Sequence, residues 1–414
     1  MQPYRIKVVE PILWTSRRKR KAVIARAGYN TFQIPAKYVA IDLISDSGTG
    51  AMTTEQWAAM LQAREDFAGQ QSFHEFSGQA RELTGLPYIQ PVHQGRTAEN
   101  ILFRLLLKTG DTVLANTHFE TTRANIEALR CRAVDLPEEE HPFLGNISID
   151  KLQKTLRRLN RVRMIILTLT SNTKGGQPVS LKNIALTKKI ARAHNVLLVL
   201  DACRFADNAY LIKEYTGTRA SVAAICKRMF GHSDIVYMSN KKDGLVNIGG
   251  FIGIRSKELY QRLRHEIIKQ EAYPSSGGLA ARDVAAMTSG LADAVQERFL
   301  RAHIAGIRFL AEILKKNQVP IFEPVGGHAI VVLPRKQPYY SFALAAQAFI
   351  ETGIRGGVFE NYYRLAIPRR VYTHEHLEYV GESIAKVYSH DLARLRLTNR
   401  PREFFNFFAR FNTY

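Results

Sequence analysis

Short apolar runs alternate along the chain with segments that repeat apolar residues at helical spacing. Helix-like stretches include 97–108 and 181–194. The apolar runs have the length and composition of buried strands: Thr112-Val-Leu-Ala, Met164-Ile-Ile-Leu-Thr-Leu, Val196 to Leu200, Ile235-Val-Tyr-Met and Phe251-Ile-Gly-Ile. This alternation predicts an α/β fold with a mostly parallel sheet covered by helices on both faces.

Two of these runs are followed by charged residues that could meet at one edge of the sheet. Asp201 follows Leu200, and Lys242 comes shortly after the run that begins at Ile235. Ligands of parallel sheets bind beyond the carboxyl ends of the strands. A lysine and an acid at that edge suit pyridoxal phosphate (PLP), because its aldehyde forms a Schiff base with lysine and its pyridine nitrogen pairs with a carboxylate. Two ordinary core strands followed by surface charges are the alternative.

A glycine turn before a helix is a candidate phosphate site. Gln94, Gly95 and Arg96 lead into the helical pattern, where free backbone N–H groups and the helix dipole favour an anion. Ser239 could add a donor. A simple helix cap is the alternative.

Three further residues could contact a cofactor or substrate. Phe119 could stack on a planar ring, although a core aromatic is the more common role. Asn172, at the end of another apparent strand, could bind a cofactor oxygen or a carboxylate. Arg364 could bind a substrate carboxylate in a bidentate manner.

Composition and charge set limits on the class of protein. The 414 residues suffice for two domains, and no apolar stretch reaches membrane-spanning length. Three cysteines form no disulfide framework and have no metal-ligand spacing, so we expect a cytoplasmic protein. The net charge of +21, from 58 Lys and Arg against 37 Asp and Glu, is spread along the chain. We therefore expect a solvated basic surface, with no nucleic-acid site and no membrane contact.

The order of elements predicts two domains. Residues 1–45 form an N-terminal arm and part of a small domain, 46–290 form the large domain with the cofactor site, and 291–414 form the C-terminal small domain.

Taken together, these segments closely resemble the tryptophanase and tyrosine phenol-lyase family of PLP-dependent β-eliminating lyases. The resemblance implies PLP fold type I, with a mostly parallel, seven-stranded-type sheet in the large domain and a smaller α+β domain. The matching strings run nearly end to end: Pro3-Tyr-Arg-Ile-Lys-Val-Val-Glu, Ala27-Gly-Tyr-Asn-Thr-Phe, Asp46-Ser-Gly-Thr, His93-Gln-Gly-Arg, Gly175-Gly-Gln-Pro-Val-Ser, Asn208-Ala-Tyr-Leu-Ile-Lys, Lys241-Lys-Asp-Gly-Leu-Val-Asn-Ile-Gly-Gly, Pro324-Val-Gly-Gly-His-Ala, Ile367-Pro-Arg-Arg-Val-Tyr-Thr and Phe407-Phe-Ala-Arg-Phe.

The resemblance also implies roles for individual residues. Lys242 would be the Schiff-base lysine, with Lys241 as its neighbour, and Asp201 the partner of the pyridine nitrogen. The other cofactor residues would be Arg204 near the phenolic oxygen, Phe119 on the ring, and Gln94, Gly95, Arg96 and Ser239 at the phosphate. The substrate carboxylate would meet Asn172 and Arg364, with Ser45 and Ser47 nearby.

The family also carries a monovalent cation site that favours potassium. Gly48, Glu65 and Asn247 match its ligands. Family members are homotetramers whose active sites are shared between subunits, and the resemblance implies the same assembly here.

The chain departs from the family at the residue that protonates the leaving group. In the family a tyrosine gives a proton to the departing aromatic carbon, and here the matching residue is Phe67. Losing a general acid typically slows a reaction about a hundredfold to ten-thousandfold. Phenol and indole need that proton, whereas a thiolate leaves as a stable anion and needs it much less.

Two further departures affect the side-chain pocket. The segment Gly353–Tyr363 is short where the family has a long loop, and that loop carries the arginine by which tyrosine phenol-lyase recognises phenol. Glu120 stands where the two parent enzymes have threonine or aspartate, and Asn406 where they have Phe or His. Glu120 is an alternative acid or base, a group that binds a cationic or hydroxylated substrate side chain, or a helix N-terminal carboxylate stabilised by the dipole.

We therefore expect a PLP-dependent lyase that eliminates a β-substituent from an L-α-amino acid through quinonoid and aminoacrylate intermediates. Tyrosine and tryptophan should be poor substrates. The alternatives are β-replacement, γ-substituent chemistry or retro-aldol cleavage of a β-hydroxy amino acid with Glu120 as base. An alternative of another class is a non-catalytic, anion- or nucleic-acid-binding relative.

Overall fold

The structure, a computed structural model, describes residues 2–6, 8–139 and 142–414. The strands are β1 (Ile41–Leu43), β2 (Tyr88–Val92), β3 (Thr112–Ala115), β4 (Arg132–Asp135), β5 (Val162–Thr168), β6 (Leu197–Asp201), β7 (Ile235–Ser239), β8 (Gly250–Ile254), β9 (Ala329–Val332), β10 (Ile354–Phe359), β11 (Tyr362–Ala366), β12 (Leu395–Asn399) and β13 (Arg410–Thr413).

The helices lie between these strands and at the chain ends. They are α1 (Arg17–Arg26), α2 (Thr54–Gln62), α3 (Gln71–Thr84), α4 (Gly95–Leu106), α5 (Glu120–Glu127), α6 (Ile149–Arg158), α7 (Leu181–Ala193), α8 (Phe205–Thr216), α9 (Val222–Gly231), α10 (Lys257–Gln270), α11 (Ala281–Ala294), α12 (Glu297–Lys316), α13 (Tyr340–Thr352), α14 (His374–Ser389) and α15 (Phe405–Phe408). Short 3₁₀ turns span Thr31–Gln33, Ala36–Tyr38 and Asn172–Lys174.

The chain divides into two compact units. One runs from Ser47 to Arg301, and the other combines the residues up to Asp46 with Ala302–Tyr414. The second division therefore falls inside α12, beyond residue 290. The reason is that α11 packs against α2 and α3 and so stays with the large unit.

The large unit contains a seven-stranded sheet in the order β2-β8-β7-β6-β5-β3-β4. The strands from β7 to β4 pair in parallel, and β8 is antiparallel to both of its neighbours. The apolar runs of the sequence form β3 and β5 to β8, so the predicted α/β fold with a mostly parallel sheet is confirmed.

Both faces of this sheet are buried. On one face, alternate residues such as Val113, Ile166 and Ile252 pack in a single cluster with apolar residues of α4 and α10. The residues between them, including Leu114 and Ile165, are also fully buried. Such continuous burial is typical of parallel strands covered on both sides.

The small unit contains a four-stranded sheet in the order β1-β10-β11-β9. Strands β10 and β11 form an antiparallel hairpin whose last pair is Phe359 opposite Tyr362. The predicted shortening of the segment Gly353–Tyr363 thus takes the form of a tight turn at Glu360 and Asn361. Strands β12 and β13 form a separate antiparallel pair.

In the described residues, the helices are too short or too polar to cross a membrane.

Candidate functional site

Lys242 lies in a turn that directly follows β7. The Lys242 N–H donates to the Ser239 carbonyl at 3.4 Å, and the Lys242 carbonyl accepts the Leu245 N–H at 3.0 Å. A Cβ at Gly244 would lie 2.6 Å from the Cα of Asn240, which is closer than real side chains allow. The turn thus depends on glycine and fixes the lysine just beyond the carboxyl end of the strand.

Backbone and side-chain bonds join this turn to the segment after β6. The Asp243 N–H donates to the Cys203 carbonyl at 3.3 Å, and the Ser239 N–H donates to Cys203 Sγ at 3.3 Å. The Asp243 carboxylate accepts N–H bonds from Ala206 at 2.7 Å and Asp207 at 3.2 Å, in the first turn of α8. These contacts fix the position of the Lys242 turn relative to the end of β6, where Asp201 lies.

The sequence reasoning missed both Asp243 and Cys203. A carboxylate immediately after the lysine was a usable signal, because α8 has no side-chain cap from its own N-cap residue, Arg204. The role of Cys203 had no sequence signal.

Asp201 is the last residue of β6 and is 6% exposed. It pairs in register with Thr168 of β5 and Tyr237 of β7, and its Oδ1 accepts the Cys203 N–H at 3.1 Å. Arg204 is buried at the start of α8, where its carbonyl accepts the Thr170 hydroxyl at 2.6 Å. The ends of β5, β6 and β7 therefore meet around Asp201.

Asn172 is buried at the start of the 3₁₀ turn that follows β5. The residue two positions earlier, Thr170, adopts a left-handed conformation with φ 61°. Its N–H donates to Asn208 Oδ1 at 3.1 Å, which holds this uncommon backbone shape. The backbone that leads into Asn172 is therefore held in one conformation.

The predicted phosphate residues come together at the N-terminus of α4. The helix begins at Gly95, and the N-cap Gln94 makes no side-chain bond to its amides. A Cβ at Gly95 would lie 2.7 Å from Ser239 Cβ, so only glycine permits this approach. Burial and the positive charges of Lys242 and Arg96 lower the pKa of Lys241.

Mutually repelling cations beside a helix N-terminus and a serine form a typical anion site. Together with the buried Asp201, this set fits PLP: cations and amides for the phosphate, a lysine for the aldehyde and an acid for the ring nitrogen. In the described ranges, no group of three or more His, Cys, Asp or Glu has the arrangement of a metal site.

Phe119 and Glu120 lie at the start of α5, as its N-cap and its first residue. His118, which the sequence reasoning missed, is buried beside them, and its Nδ1 bonds Asp135 Oδ1 at 2.6 Å. Although burial acts to raise it, hydrogen bonds from His118 and the charge of Arg123 hold the pKa of Asp135 below its usual value. This cluster anchors the segment that carries Phe119.

Phe67 is 80% exposed in the single chain. Its ring lies 5.7 Å from that of Tyr273, measured between centroids. The segments of these two residues are also joined by the Gly69 N–H, which donates to Ser275 Oγ at 2.9 Å.

Two of the residues predicted for the cation site, Gly48 and Asn247, are hydrogen-bonded to each other, whereas Glu65 caps a helix. Glu65 accepts N–H bonds from Ala281 at 2.6 Å and Arg282 at 3.3 Å, and so caps α11, whose N-cap residue offers no side-chain bond. Asn247 Nδ2 donates to the Gly48 carbonyl at 3.0 Å. In the part of the chain that the structure describes, no hydrogen bond or ion pair joins Glu65 to Gly48 or Asn247.

In the small unit, Arg364 is buried on β11. Its guanidinium lies 4.9 Å from the centroid of the Phe359 ring and donates to the Ile44 carbonyl at 3.4 Å. The residues that follow Ile44 are fixed by a fully buried ion pair between Asp46 and Arg369 at 2.9 Å. Ser45 lies beside this pair, whereas Ser47 begins the large unit.

Asn406, predicted to line the substrate pocket, fastens the β10–β11 hairpin. Its Oδ1 accepts the Glu360 N–H at 3.0 Å, and its carbonyl accepts Asn30 Nδ2 at 3.1 Å. The first bond uses the side-chain amide oxygen of Asn406 to close the shortened turn.

Comparisons with known proteins identify the family. The family described as beta-eliminating lyase matches residues 42–383. A tryptophanase of Salinibacter ruber is 43% identical over 92% of this chain and 88% of its own length. A tyrosine phenol-lyase of Pasteurella multocida is 38% identical over 99% of this chain and 98% of its own length.

Solved structures share the fold at low identity. A serine palmitoyltransferase of Sphingomonas wittichii superimposes with a TM-score of 0.67 at 14% identity, covering 90% of this chain and 96% of that one. A threonine aldolase of Leishmania major gives a TM-score of 0.65 at 13% identity, covering 84% and 99%. These likenesses show PLP fold type I.

Proposed function

The chain belongs to the β-eliminating lyase family of PLP-dependent enzymes, and we propose that it removes from an L-α-amino acid a β-substituent that departs as a stable anion, such as a thiolate. The products would be pyruvate and ammonia.

When bound, PLP supplies an electron sink for the α-carbon of the substrate. Lys242 would hold the cofactor, and Asp201 would keep the proton on its ring nitrogen. Arg96, Ser239 and the amides at Gly95 would hold the phosphate.

Proton transfer from the α-carbon needs a neutral amine. Lys242, once released, or Lys241 beside it would take this proton. The pKa of Lys241 is lowered by burial and by its cationic neighbours, so more of its amine is neutral at a given pH. Asn172 and Arg364 would orient the substrate carboxylate, which presents the α-proton to the base.

The observation that carries the proposal is the side chain at position 67. Phenylalanine occupies the place of the family's proton donor and has no proton to give. A leaving group that must be protonated on carbon then loses about two to four orders of magnitude in rate. A leaving group that is already a stable anion loses little.

The β10–β11 hairpin supports the same conclusion. Its turn at Glu360 and Asn361 is closed by Asn406 and backed by stacked rings of Phe359 and Tyr362, whose centroids are 4.6 Å apart. This compact turn replaces the long loop that carries the phenol-binding arginine in tyrosine phenol-lyase. Recognition of a phenolic side chain is therefore not expected.

A substrate panel tests the proposal. The protein would be purified with PLP and potassium and incubated with S-substituted cysteines, β-halo and β-hydroxy amino acids, tyrosine and tryptophan. We expect pyruvate from S-substituted cysteines at a rate at least about a hundredfold above that from tyrosine or tryptophan. Rapid pyruvate formation from either aromatic amino acid would overturn the proposal.

Glu120 favours a second candidate, retro-aldol cleavage of a β-hydroxy amino acid. It follows Phe119, the proposed ring-stacking residue, and it is the first residue of α5, where the dipole stabilises its charged form. Under this candidate, β-hydroxy amino acids release glycine, and the substitution Glu120→Gln abolishes that release. Unchanged glycine release in the variant would exclude Glu120 as the base.

We also propose that potassium binds at Gly48, Glu65 and Asn247 and that the chain assembles as a homotetramer. The support for both is the resemblance to the family. Exchange of potassium for sodium should weaken PLP binding, measured by the visible absorption of the bound cofactor. Equal binding in the two salts would argue against the cation site.

A further inference from the structure

Glu99 is a buried carboxyl on α4 without an ion-pair partner. It is 6% exposed. Its Oε1 accepts the Thr122 hydroxyl at 2.7 Å, and its Oε2 accepts Asn125 Nδ2 at 3.4 Å. Both donors are neutral, and no ion pair of the described residues includes Glu99. Neutral donors compensate little of the cost of burying a charge, so a carboxyl in this position favours its protonated form.

Asp201 carries the negative charge that acts on Glu99. Tyr237 lies opposite Asp201 in the pairing of β6 with β7, and α4 packs against β7. Burial and the Asp201 charge raise the pKa of Glu99 to about 7. Burial, Asp201 and Glu99 likewise raise the pKa of the Tyr237 phenol, which therefore stays neutral.

The other groups around α4 do not supply a counter-charge. The positive charge of Lys242 lowers the pKa of Glu99, but this effect is the smallest of those that act on the carboxyl. Strand β8 carries no titratable side chain, and Cys203 stays a neutral thiol because burial and Asp201 raise its pKa. Three groups on the elements packed against α4 have other partners: Arg123 bonds Asp135, Arg262 donates to the Leu105 carbonyl, and Tyr88 stacks on Tyr260.

We propose that Glu99 is a positioning residue that holds one proton beside Asp201, so that Asp201 is the single negative charge facing the pyridine nitrogen. This inference rests on the proposed role of Asp201. With a neutral Glu99, one carboxylate meets one pyridinium and the buried cluster is balanced. An ionised Glu99 would leave an uncompensated negative charge in the same place.

The sign of the pH effect follows from the raised pKa. Between the usual value of 4.5 and about 7, the folded chain holds a proton on Glu99 that the unfolded chain has lost. The stability contributed by this proton is complete below the lower value and is lost as pH rises through the higher one.

Infrared spectroscopy of the full chain measures the proton directly. In the protein loaded with PLP, we expect a carboxylic-acid C=O band that disappears with a midpoint near pH 7. The band should be absent from Glu99→Gln at every pH. The matched control is Glu82→Gln, which removes an exposed glutamate of α3 and should leave the band unchanged.

Two substitutions test the coupling. Asp201→Asn removes the neighbouring charge and should lower the midpoint by about one pH unit or more, the usual scale for a nearby charge. Thr122→Val removes the hydroxyl that stabilises the ionised form and should raise the midpoint. Thr122→Val is nearly isosteric, so it keeps the test valid if the other variants fold poorly.

The outcomes separate this inference from the proposed function. A band that persists in Glu99→Gln, or a midpoint unmoved by Asp201→Asn, overturns the role of Glu99. Absence of visible PLP absorption in the unmodified chain overturns the proposed function instead. The two failures can be told apart because the infrared band of Glu99 is still measurable without the cofactor.

Discussion

At the scale of single residues, the proposed function rests on two side chains. The Lys242 amine would hold the cofactor, and the absence of a hydroxyl at Phe67 would restrict the leaving group. Tyr273 carries a hydroxyl near position 67, because the centroid of its ring lies 5.7 Å from that of Phe67. A test of position 67 must therefore include Tyr273.

Lys242→Ala should abolish the visible absorption of bound PLP and all pyruvate release, because the Lys242 amine would form the Schiff base that holds the cofactor. The control is Lys257→Ala, at the exposed start of α10. Retention of the full absorption in Lys242→Ala would show that another lysine, with Lys241 as the first candidate, holds the cofactor.

Sequence reasoning reached Lys242 and Asp201 because each follows an apolar run, which is a local signal. It did not reach Glu99, Asp243, Cys203 or His118. The roles of these four depend on partners far away in the chain, such as Cys203 accepting from Ser239 or His118 bonding Asp135. The position of Asp243 directly after Lys242 is a usable local signal, but spacing along the sequence carries no information about the partners of Glu99, Cys203 and His118.

At the scale of elements, the site depends on how loops are tied to strand ends. Asp243 caps α8 with two N–H bonds and thereby holds the Lys242 turn. The existence of the parallel sheet followed from its apolar runs, whereas the antiparallel direction of β8 did not, because strand direction leaves no mark on composition.

Asp243→Ala should destabilise the protein by about 1–2 kcal/mol, the usual cost of losing a helix cap, and should also weaken PLP binding. Thermal unfolding and cofactor titration measure the two effects. Ser221→Ala is the matched control: it removes the bond to the Ala224 N–H at 3.2 Å in α9. It should lower stability without changing PLP affinity, and equal PLP affinity in both variants would refute the role of Asp243.

The substitution Phe359→Leu tests whether the β10–β11 hairpin positions Arg364. The ring lies under the Arg364 guanidinium at 4.9 Å, and a cation–π contact of this kind contributes about 0.5–2 kcal/mol. We expect the substitution to raise KM roughly twofold to thirtyfold with a smaller change in kcat, because it loosens the carboxylate clamp. Phe408→Leu, at a side chain 54% exposed, is the control. A change in kcat alone would contradict the positioning role.

At the scale of the whole molecule, the main prediction is assembly into a homotetramer. Large apolar side chains are exposed on the single chain, among them Trp57 at 51%, Leu61 at 87% and Phe67 at 80%. Burial of such side chains favours association. Sedimentation equilibrium should give four times the chain mass of 46.8 kDa. A monomer that remains fully active would contradict active sites shared between subunits.

The most direct test of the account is the effect of Phe67→Tyr on two substrates. We predict that kcat/KM for tyrosine rises at least about tenfold, because a proton donor is restored, while kcat/KM for an S-substituted cysteine changes little. Tyr273→Phe should change neither. Equal effects of Phe67→Tyr on both substrates, or efficient cleavage of tyrosine that Tyr273→Phe abolishes, would contradict the claim that position 67 restricts the leaving group.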